Sequence, residues 1–595
     1  MSNATMEETR TSASGTQHDS PARRRAKGRA ATIVVLIVAL IGSSLFQDAA
    51  YSYRDEAVNG QRKRTAKAGQ NQRGTNLDSF ALGLLLGGLR GPLVMYLWTS
   101  SETQKTDRDL ESFETKVELI RLLQPEFASV HLFQMWNLGY NISVQMASLA
   151  NKYSCILAAI EYGQRTDRED LPNNINILSQ IGSLYGDKLG GSTEKAYYVR
   201  RVRTETLPVY RVTIPPADVE KYKAAAMEAG LDAAKLRLTT PASGPATAMI
   251  EKIPGDKVKS LLASSAGIKF EAIKRQDLRP AQQSGRRSEM DTLVDVNGKL
   301  LPPGESGIER AELEHLEPLQ PYPYGIPPQA LAYNYYKRAQ ILQTVGKQRH
   351  LQISEMVIDR QPAIGLKFWA EEEWLRGRRL ETEAILTPTD LEAKYKEFKE
   401  YASAPEDTKR ATGYGLMTGA VKADAPMQRK ESAEAAIFSF ERSAKVAAMA
   451  LTEYERHLQQ FTSNLQNYMS HMDHMRMVGA ISAGDAKYLR AMIAPASDQA
   501  RLLADAKADY ENAEKWAIVL MLKYFVEDID AQLVPFARAS VDQRSLADLR
   551  DLLARTEAKL KQKYKKLEDS QGASDRDEYA QSLKRIQQRV KIIGG

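Results

Sequence analysis

From Ile437 onward the apolar residues recur at alternating spacings of three and four: Ile437, Phe440, Ala444, Ala447, Leu451, Tyr454, Leu458, Phe461, Leu465, Tyr468, Met472 and Met475. That spacing keeps one stripe on one side of a helix. It predicts a heptad seam over about 428–477, a helix about 75 Å long at 1.5 Å per residue. Phe440, Tyr454, Phe461 and Tyr468 are bulky for a tight parallel dimer and require small residues opposite. Leu489, Met492, Ala496, Leu503, Ala506, Tyr510, Ala513, Ala517, Leu520 and Tyr524 follow in the same phase, apart from Gln499. Between the two runs lies VGAISAGD, where Gly479 and Gly484 predict a turn. The pattern therefore predicts an antiparallel coiled-coil hairpin over 428–530, with Pro495 bending or restarting the second arm. Leu546, Leu553, Leu560 and Leu567 mark an amphipathic helix at about 543–568, in which Thr556 and Lys563 are poor core residues. A last short helix is expected at 575–592.

The N-terminal end follows a different rule. Residues 1–29 are polar and basic, ending in ARRRAKGR, and hold too little apolar surface to fold. Ala30 to Phe46 carries no charge and is long enough, at the short end, for a spanning helix. An uncleaved signal anchor at 30–47 is the expectation, because LFQDAAYS offers no small-x-small cleavage site of the kind a signal peptide needs. A linker at 48–76 follows. Phe80 to Trp98, FALGLLLGGLRGPLVMYLW, is a second apolar stretch, but Arg90 would lie near mid-bilayer, at a cost of roughly 2.5–3.5 kcal/mol. Two short helices, about 77–87 and 92–105, broken at Gly87, Gly88 and Gly91, fit it better.

From Pro172 the chain reads PNNINILSQIGSLYGDKLGGSTEKAYYVRR. Pro172, Gly182, Tyr185 and Ala196 follow the Pro…Gly-x-x-Tyr…Ala order, and this segment resembles the tetratricopeptide repeat. Tyr185 to Ala196 is two residues longer than the family spacing, which fits the extra Gly190-Gly191. The preceding segment, with WNLGY at 136–140, is a looser match. The stretches GGLRGPLVMYLW, WNLGYNISV, YPYGIPPQALAYNYYKRAQ and WAEEEWLRGRRLE also resemble uncharacterised, membrane-anchored bacterial proteins with repeat-like helices; that likeness covers about 80–205 and 320–382. It implies a shared architecture and no activity. The resulting organisation is mainly α: TPR-like repeats at 77–205, a small α/β insertion at 206–320, repeat continuation at 321–385, a helix and linker at 386–427, the hairpin, and C-terminal helices at 531–595. Inside the insertion, YRVTI, KLRL and IKFEAIK are strand-like, and Asn297-Gly298 is a hairpin signal.

Composition narrows the function. A net charge of +7 over 595 residues is mildly basic and gives no nucleic-acid footprint. One cysteine, Cys155, excludes an intrachain disulfide and a thiolate cage. Arg23, Arg24, Arg25, Lys27 and Arg29 before the anchor favour a cytoplasmic N-terminus and an extracytoplasmic body at a cell inner membrane. Basic residues at 54–67 oppose this from the other side of the anchor.

The chemistry available is sparse. No phosphate loop, zincin helix or nucleophile elbow occurs. Cys155, beside Ile156 and Leu157, reads as a structural thiol. In NYMSHMDHMRM, His471, His474, Met472 and Met475 would suit a soft metal; the competing reading puts both methionines on the seam as packing and both histidines near a helix end. Glu371, Glu372 and Glu373 fan around a helix and do not converge, and Arg376, Arg378 and Arg379 are expected to pair with them along it. Asn137, Tyr140, Asn141 and Tyr185 are the candidates for a groove that holds a peptide, against a reading in which the asparagines bridge repeats. The expectation is a single-span, non-catalytic scaffold that binds a protein or peptide without cofactor. An envelope spacer or homo-oligomer assembled through the coiled coil is the alternative.

Overall fold

A computed structural model describes residues 131–206, 209–228, 246–250, 269–273, 324–346, 353–387, 427–462, 465–529, 543–563 and 573–594, with shorter stretches between 94 and 130 and a few isolated positions. The anchor expected at 30–47, the first of the two expected short N-terminal helices and the hairpin expected at Asn297-Gly298 lie outside the described residues. Among those described, no helix is long and apolar enough to cross a membrane.

The chain divides into two compact units, Met1–Val130 and His131–Gly595. In the first, Val94, Leu97, Ile120, Leu123 and Val130 form a small apolar cluster, while Met95 and Tyr96 are exposed.

The second unit is mainly α, as expected. Its helices are α1 (Ala128–Trp136, which begins in the first unit), α2 (Leu149–Glu169), α3 (Ile175–Ser183), α4 (Lys195–Glu205), α5 (Val219–Glu228), α6 (Pro328–Val345), α7 (Glu355–Ile385), α8 (Lys430–Gln460), α9 (Leu465–Ile493), α10 (Ala496–Ile529), α11 (Leu546–Lys563) and α12 (Ala573–Gly594). Polar side chains start several of them. Ser148 accepts from Asn151 N at 3.2 Å ahead of α2, and Asn174 accepts from Asn176 N and Ile177 N ahead of α3. Asn173, at φ 58, turns the chain between these two helices and donates its N–H to Asp167 Oδ1.

Three short strands, β1 (Val209–Ile214), β2 (Ala246–Ile250) and β3 (Lys269–Ile273), pair antiparallel in the order β2-β1-β3. Tyr210 sits opposite Ile250 on one side and opposite Ala272 on the other.

Sequential helices pack as antiparallel neighbours from α6 to α10. Tyr333 meets Trp369 and Gln340 meets Asp359 across α6 and α7; Gly377 meets Phe440 and Asp359 meets His457 across α7 and α8. Tyr454 meets Tyr468 and Ser443 meets Ser482 across α8 and α9. Tyr510 bonds Asp485 and Trp516 meets Arg476 across α9 and α10, and α10 packs on both α11 and α12. One continuous apolar core runs from Met135 to Ile586 through these contacts.

Most of the described seam residues lie inside, Met492 and Ala496 being exposed, but the helices are cut elsewhere than the pattern predicts. The helix expected over 428–477 ends at Gln460 and restarts at Leu465. Gly479 and Gly484, expected to turn the chain, sit within α9. Their missing side chains serve close packing: a Cβ on Gly479 would stand 3.4 Å from Ala447, and one on Gly484 3.0 Å from the Tyr510 ring. The second break follows Ile493, and Pro495 leads directly into α10.

The buried face of α8 is also wider than a two-helix seam. Ala436, Ser439, Phe440, Ser443, Val446, Ala447, Ala450, Tyr454 and His457 are all buried, because α7 covers one side and α9 the other. Ser443 donates to the Ala370 carbonyl and Ser482 to Ser443. Thr556, a poor core residue on sequence grounds, is buried with its hydroxyl given to the Leu552 carbonyl.

Candidate functional site

Two turns of the first helices are wound as π helix. Asn137–Ile142 extends α1, and Leu184–Leu189 extends α3. Such single turns are rare and occur often at functional positions. Each has a glycine at its third residue. A Cβ on Gly139 would stand 2.3 Å from Leu184, and one on Gly186 3.2 Å from Ala332. The glycines therefore let the two π turns approach each other and α6. Ser143 donates to the Gly139 carbonyl at 2.6 Å, taking an acceptor from the local backbone ladder.

All four residues expected to line a peptide groove lie in these turns. Tyr140 is half-buried, and Lys188 of the other turn stands 5.3 Å from its ring centroid. Burial and the nearby Asp187 carboxylate push the Tyr140 hydroxyl well above its usual range, so it remains a neutral donor. Asn141 is half-buried and donates to Asn137 Oδ1 at 3.0 Å. Asn137 is buried, and its Nδ2 has no hydrogen-bond acceptor. Tyr185 is buried too and stacks on Tyr335 at 5.9 Å, so it supports the turn from beneath.

Asp187 was not anticipated. It is exposed at the rim, its carboxyl raised by burial of its surroundings and opposed by a hydrogen bond from Ser183. Ser183 in turn accepts from Tyr336 at 3.3 Å. The outer surface is thus a phenol, a carboxamide, a carboxylate and an ammonium within two facing turns. These groups suit hydrogen bonding to a peptide. None forms a nucleophile–base pair.

The histidine–methionine segment is arranged differently. Met472 and Met475 are buried in the core. His471 Nδ1 is 3.2 Å from the Tyr454 hydroxyl; His474 Nε2 is 2.8 Å from Glu371 Oε1 and its Nδ1 is 3.2 Å from the Tyr579 hydroxyl. Among the described residues, no group of three or more His, Cys, Asp or Glu side chains is placed to hold a metal ion. Burial, Lys367 and His474 bring His471 down to about 4. Burial acts against the Glu371 charge, but Lys367 and His474 outweigh it and hold the carboxyl at about 2.

The three acidic residues diverge. Glu371 faces Lys367 and His474, whereas Glu373 accepts from Arg203 at 2.8 Å and Trp369 at 3.2 Å. Of the arginines that follow, one reaches another helix and two find contacts within α7 itself. Arg376 donates to Ser439, Arg378 lies over Trp374, and Arg379 meets Glu383. Tertiary packing gives Glu371, Glu373 and Arg376 the partners that local spacing does not offer, on α9, α4 and α8. Cys155 is half-buried, and burial raises its thiol, which disfavours the thiolate.

Sequence reasoning missed one further ionic set. Asp359 accepts from Arg456 at 2.8 Å and holds His457 Nδ1 at 2.7 Å, fastening the end of α8 to the start of α7.

Comparison with known proteins returned no matching family model, no matching curated protein and no matching solved structure.

Proposed function

We propose that this chain is a non-catalytic scaffold that binds a protein or peptide through a TPR-like helical array. The observation that carries the reading is the pair of facing π turns. Tyr140, Asn141, Asp187 and Lys188 come from two segments about 47 residues apart in sequence, as their numbering gives. Together they offer donors and acceptors of both charges to an extended chain, over a buried base of Asn137 and Tyr185. Antiparallel packing of successive helices supports a stacked array, because each helix leaves an apolar face that its neighbour covers.

The oligomer or spacer reading has less support. Phe440, Ala447, Tyr454, Ala506, Tyr510, Ala513 and Ala517, which would form the self-associating seam, are buried against helices of the same chain. Membrane anchoring through 30–47, with the body extracytoplasmic, belongs to the proposal on the strength of the uncharged run and the basic cluster before it.

The test is in-cell crosslinking of the full-length protein, wild type against Tyr140→Ala combined with Lys188→Ala. Both side chains are half-buried and Tyr140 packs on the core, so the double variant should keep its helical signal with a lowered melting temperature, and crosslinking is carried out below that temperature. The reading expects discrete crosslinked partners in the wild type that are lost in the double variant. An unchanged partner set in a folded variant would sink it.

A further inference from the structure

Where α4, α7 and α8 meet, a second polar site lies away from the π turns. Arg376 on α7 is buried, 7 % exposed, and donates to the Ser439 hydroxyl of α8. Its guanidinium lies 4.8 Å from the ring centroid of Tyr324. Among the described residues, no carboxylate is within ion-pair distance of it. The buried Glu373 gives its Oε1 to Arg203 and Trp369, while its Oε2 has no hydrogen-bond partner. Arg203 is also 7 % exposed, and its Nε has no hydrogen-bond partner.

The surroundings add positive charge. Arg442, with its guanidinium 5.0 Å from the Phe438 ring, contributes to the field on Glu373, and Arg379 contributes to the field on Arg376. Burial, and then repulsion by Arg203, bring Arg376 down to about 9 despite the pull of Glu373. A guanidinium taken out of water is retained at a cost unless an anion meets it.

The site is also constructed. Gly325 has φ +76, and a Cβ there would stand 2.1 Å from the Arg203 carbonyl oxygen, so the chain before α6 lies directly on the end of α4. The Thr206 hydroxyl accepts from Ile326 N at 2.7 Å and holds that chain down. This fixes half-buried Tyr324 over Arg376, with half-buried Phe438 at 5.1 Å beside it, at the edge of the core.

We propose that Arg376, with Arg203 beside it and Ser439 and Tyr324 to orient it, forms a binding site for a small oxyanion, either a phosphate or a carboxylate group. Arginine suits this task because its planar fork matches two oxygens of either group. Glu373 bonds Arg203 and only attracts Arg376 without a direct contact, so the fork of Arg376 is the one to meet the anion. The site stands independently of the peptide-binding reading, since it shares no residue with the π turns.

The test is thermal unfolding of the full chain, titrated with inorganic phosphate or with acetate against chloride at equal ionic strength. One of the two oxyanions should raise the melting temperature saturably, on the order of 2–4 °C near a hundredfold excess over Kd. Which of them does so separates a phosphate ligand from a carboxylate ligand. Chloride should give no such rise, and Arg376→Gln should abolish it. If Arg376→Gln does not fold, Ser439→Ala should move the midpoint of the same titration about tenfold to higher concentration. No saturable rise with either oxyanion, or an equal midpoint in wild type and a folded variant, overturns the proposal.

Discussion

Two buried ionic clusters sit on α7, two turns apart, and they are built in opposite ways. At Glu381 the charges balance. Its carboxylate takes Arg585 at 2.8 Å and Arg589, and Arg585 also reaches both oxygens of Asp485 at 3.1 Å. Tyr510 donates to Asp485 at 2.7 Å, and Arg589 lies 4.1 Å from the Tyr488 ring centroid. Burial would raise the Glu381 carboxyl, but Arg589 and Arg585 outweigh it and lower it. At Glu373 one carboxylate faces Arg203, and Arg376 is left with a hydroxyl and a ring. The first cluster joins α7, α9, α10 and α12 and has the form of a structural clamp. In the second, Arg376 has no carboxylate among the described residues at ion-pair distance, and the cluster has the form of a site. The same residue types on one helix thus serve differently according to whether the partners sum to zero.

The comparison breaks first at Glu381. Removing Glu381 from this buried, satisfied network leaves Arg585 and Arg589 facing the single Asp485 carboxylate. Glu381→Ala should therefore destabilise the fold by about 3–5 kcal/mol, measured as a drop in the urea midpoint with unchanged slope. A loss below about 1 kcal/mol would mean that the clamp contributes little and that charge balance does not distinguish the two clusters.

Gly377 lies between them on the helix, and a Cβ there would stand 2.5 Å from the Phe440 ring. Gly377→Ala forces α7 from α8 without touching any charge. The expected loss is about 1–3 kcal/mol, by the same denaturation. If the variant also weakens the oxyanion response at Arg376, the second cluster depends on helix spacing; if it does not, the ring and hydroxyl around Arg376 hold their places unaided.

Much of this was visible in the chain before it was folded, but unevenly. The heptad phase located the buried stripes of α8 and α10, because core packing needs a face and a face needs that period. It could not locate the ends. Gly479 and Gly484 read as turn formers, although the fold uses them as contact points where Ala447 and Tyr510 come close. The π turns were also hidden: one extra residue in a turn barely disturbs a spacing of three and four. Asn137, Tyr140 and Asn141 drew notice because aromatic and amide residues cluster around Gly139, yet Asn137 and Tyr185 both turn inward, which the sequence did not indicate. The ionic clusters gave no local signal. Glu381 and Arg585 are 204 residues apart, and charged residues on helices are usually solvated.

The smallest expected effect concerns a third group on α7 and its neighbour on α9. His471 is held near 4, below the usual histidine range, by burial first and then by Lys367 and His474. The groups around it are Lys367 and Glu371 of α7, Tyr454 of α8, His474 of α9 and Lys523 of α10. A depressed folded value means that the unfolded chain binds the proton first as the pH falls. The contribution is therefore present above the ordinary histidine value of about 6.5 and is lost as the pH falls towards 4. Over the single step from pH 7 to 6 the loss should be about 1 kcal/mol or less. His471→Gln keeps a hydrogen-bonding group near Tyr454 and removes the titration. The variant's melting temperature should accordingly fall less than that of the wild type between pH 7 and 5, whatever its value at pH 7. Parallel curves for the two proteins would show that His471 does not carry the acid sensitivity. Attention would then move to Glu371, whose value of about 2 confines its own loss to more acidic solution.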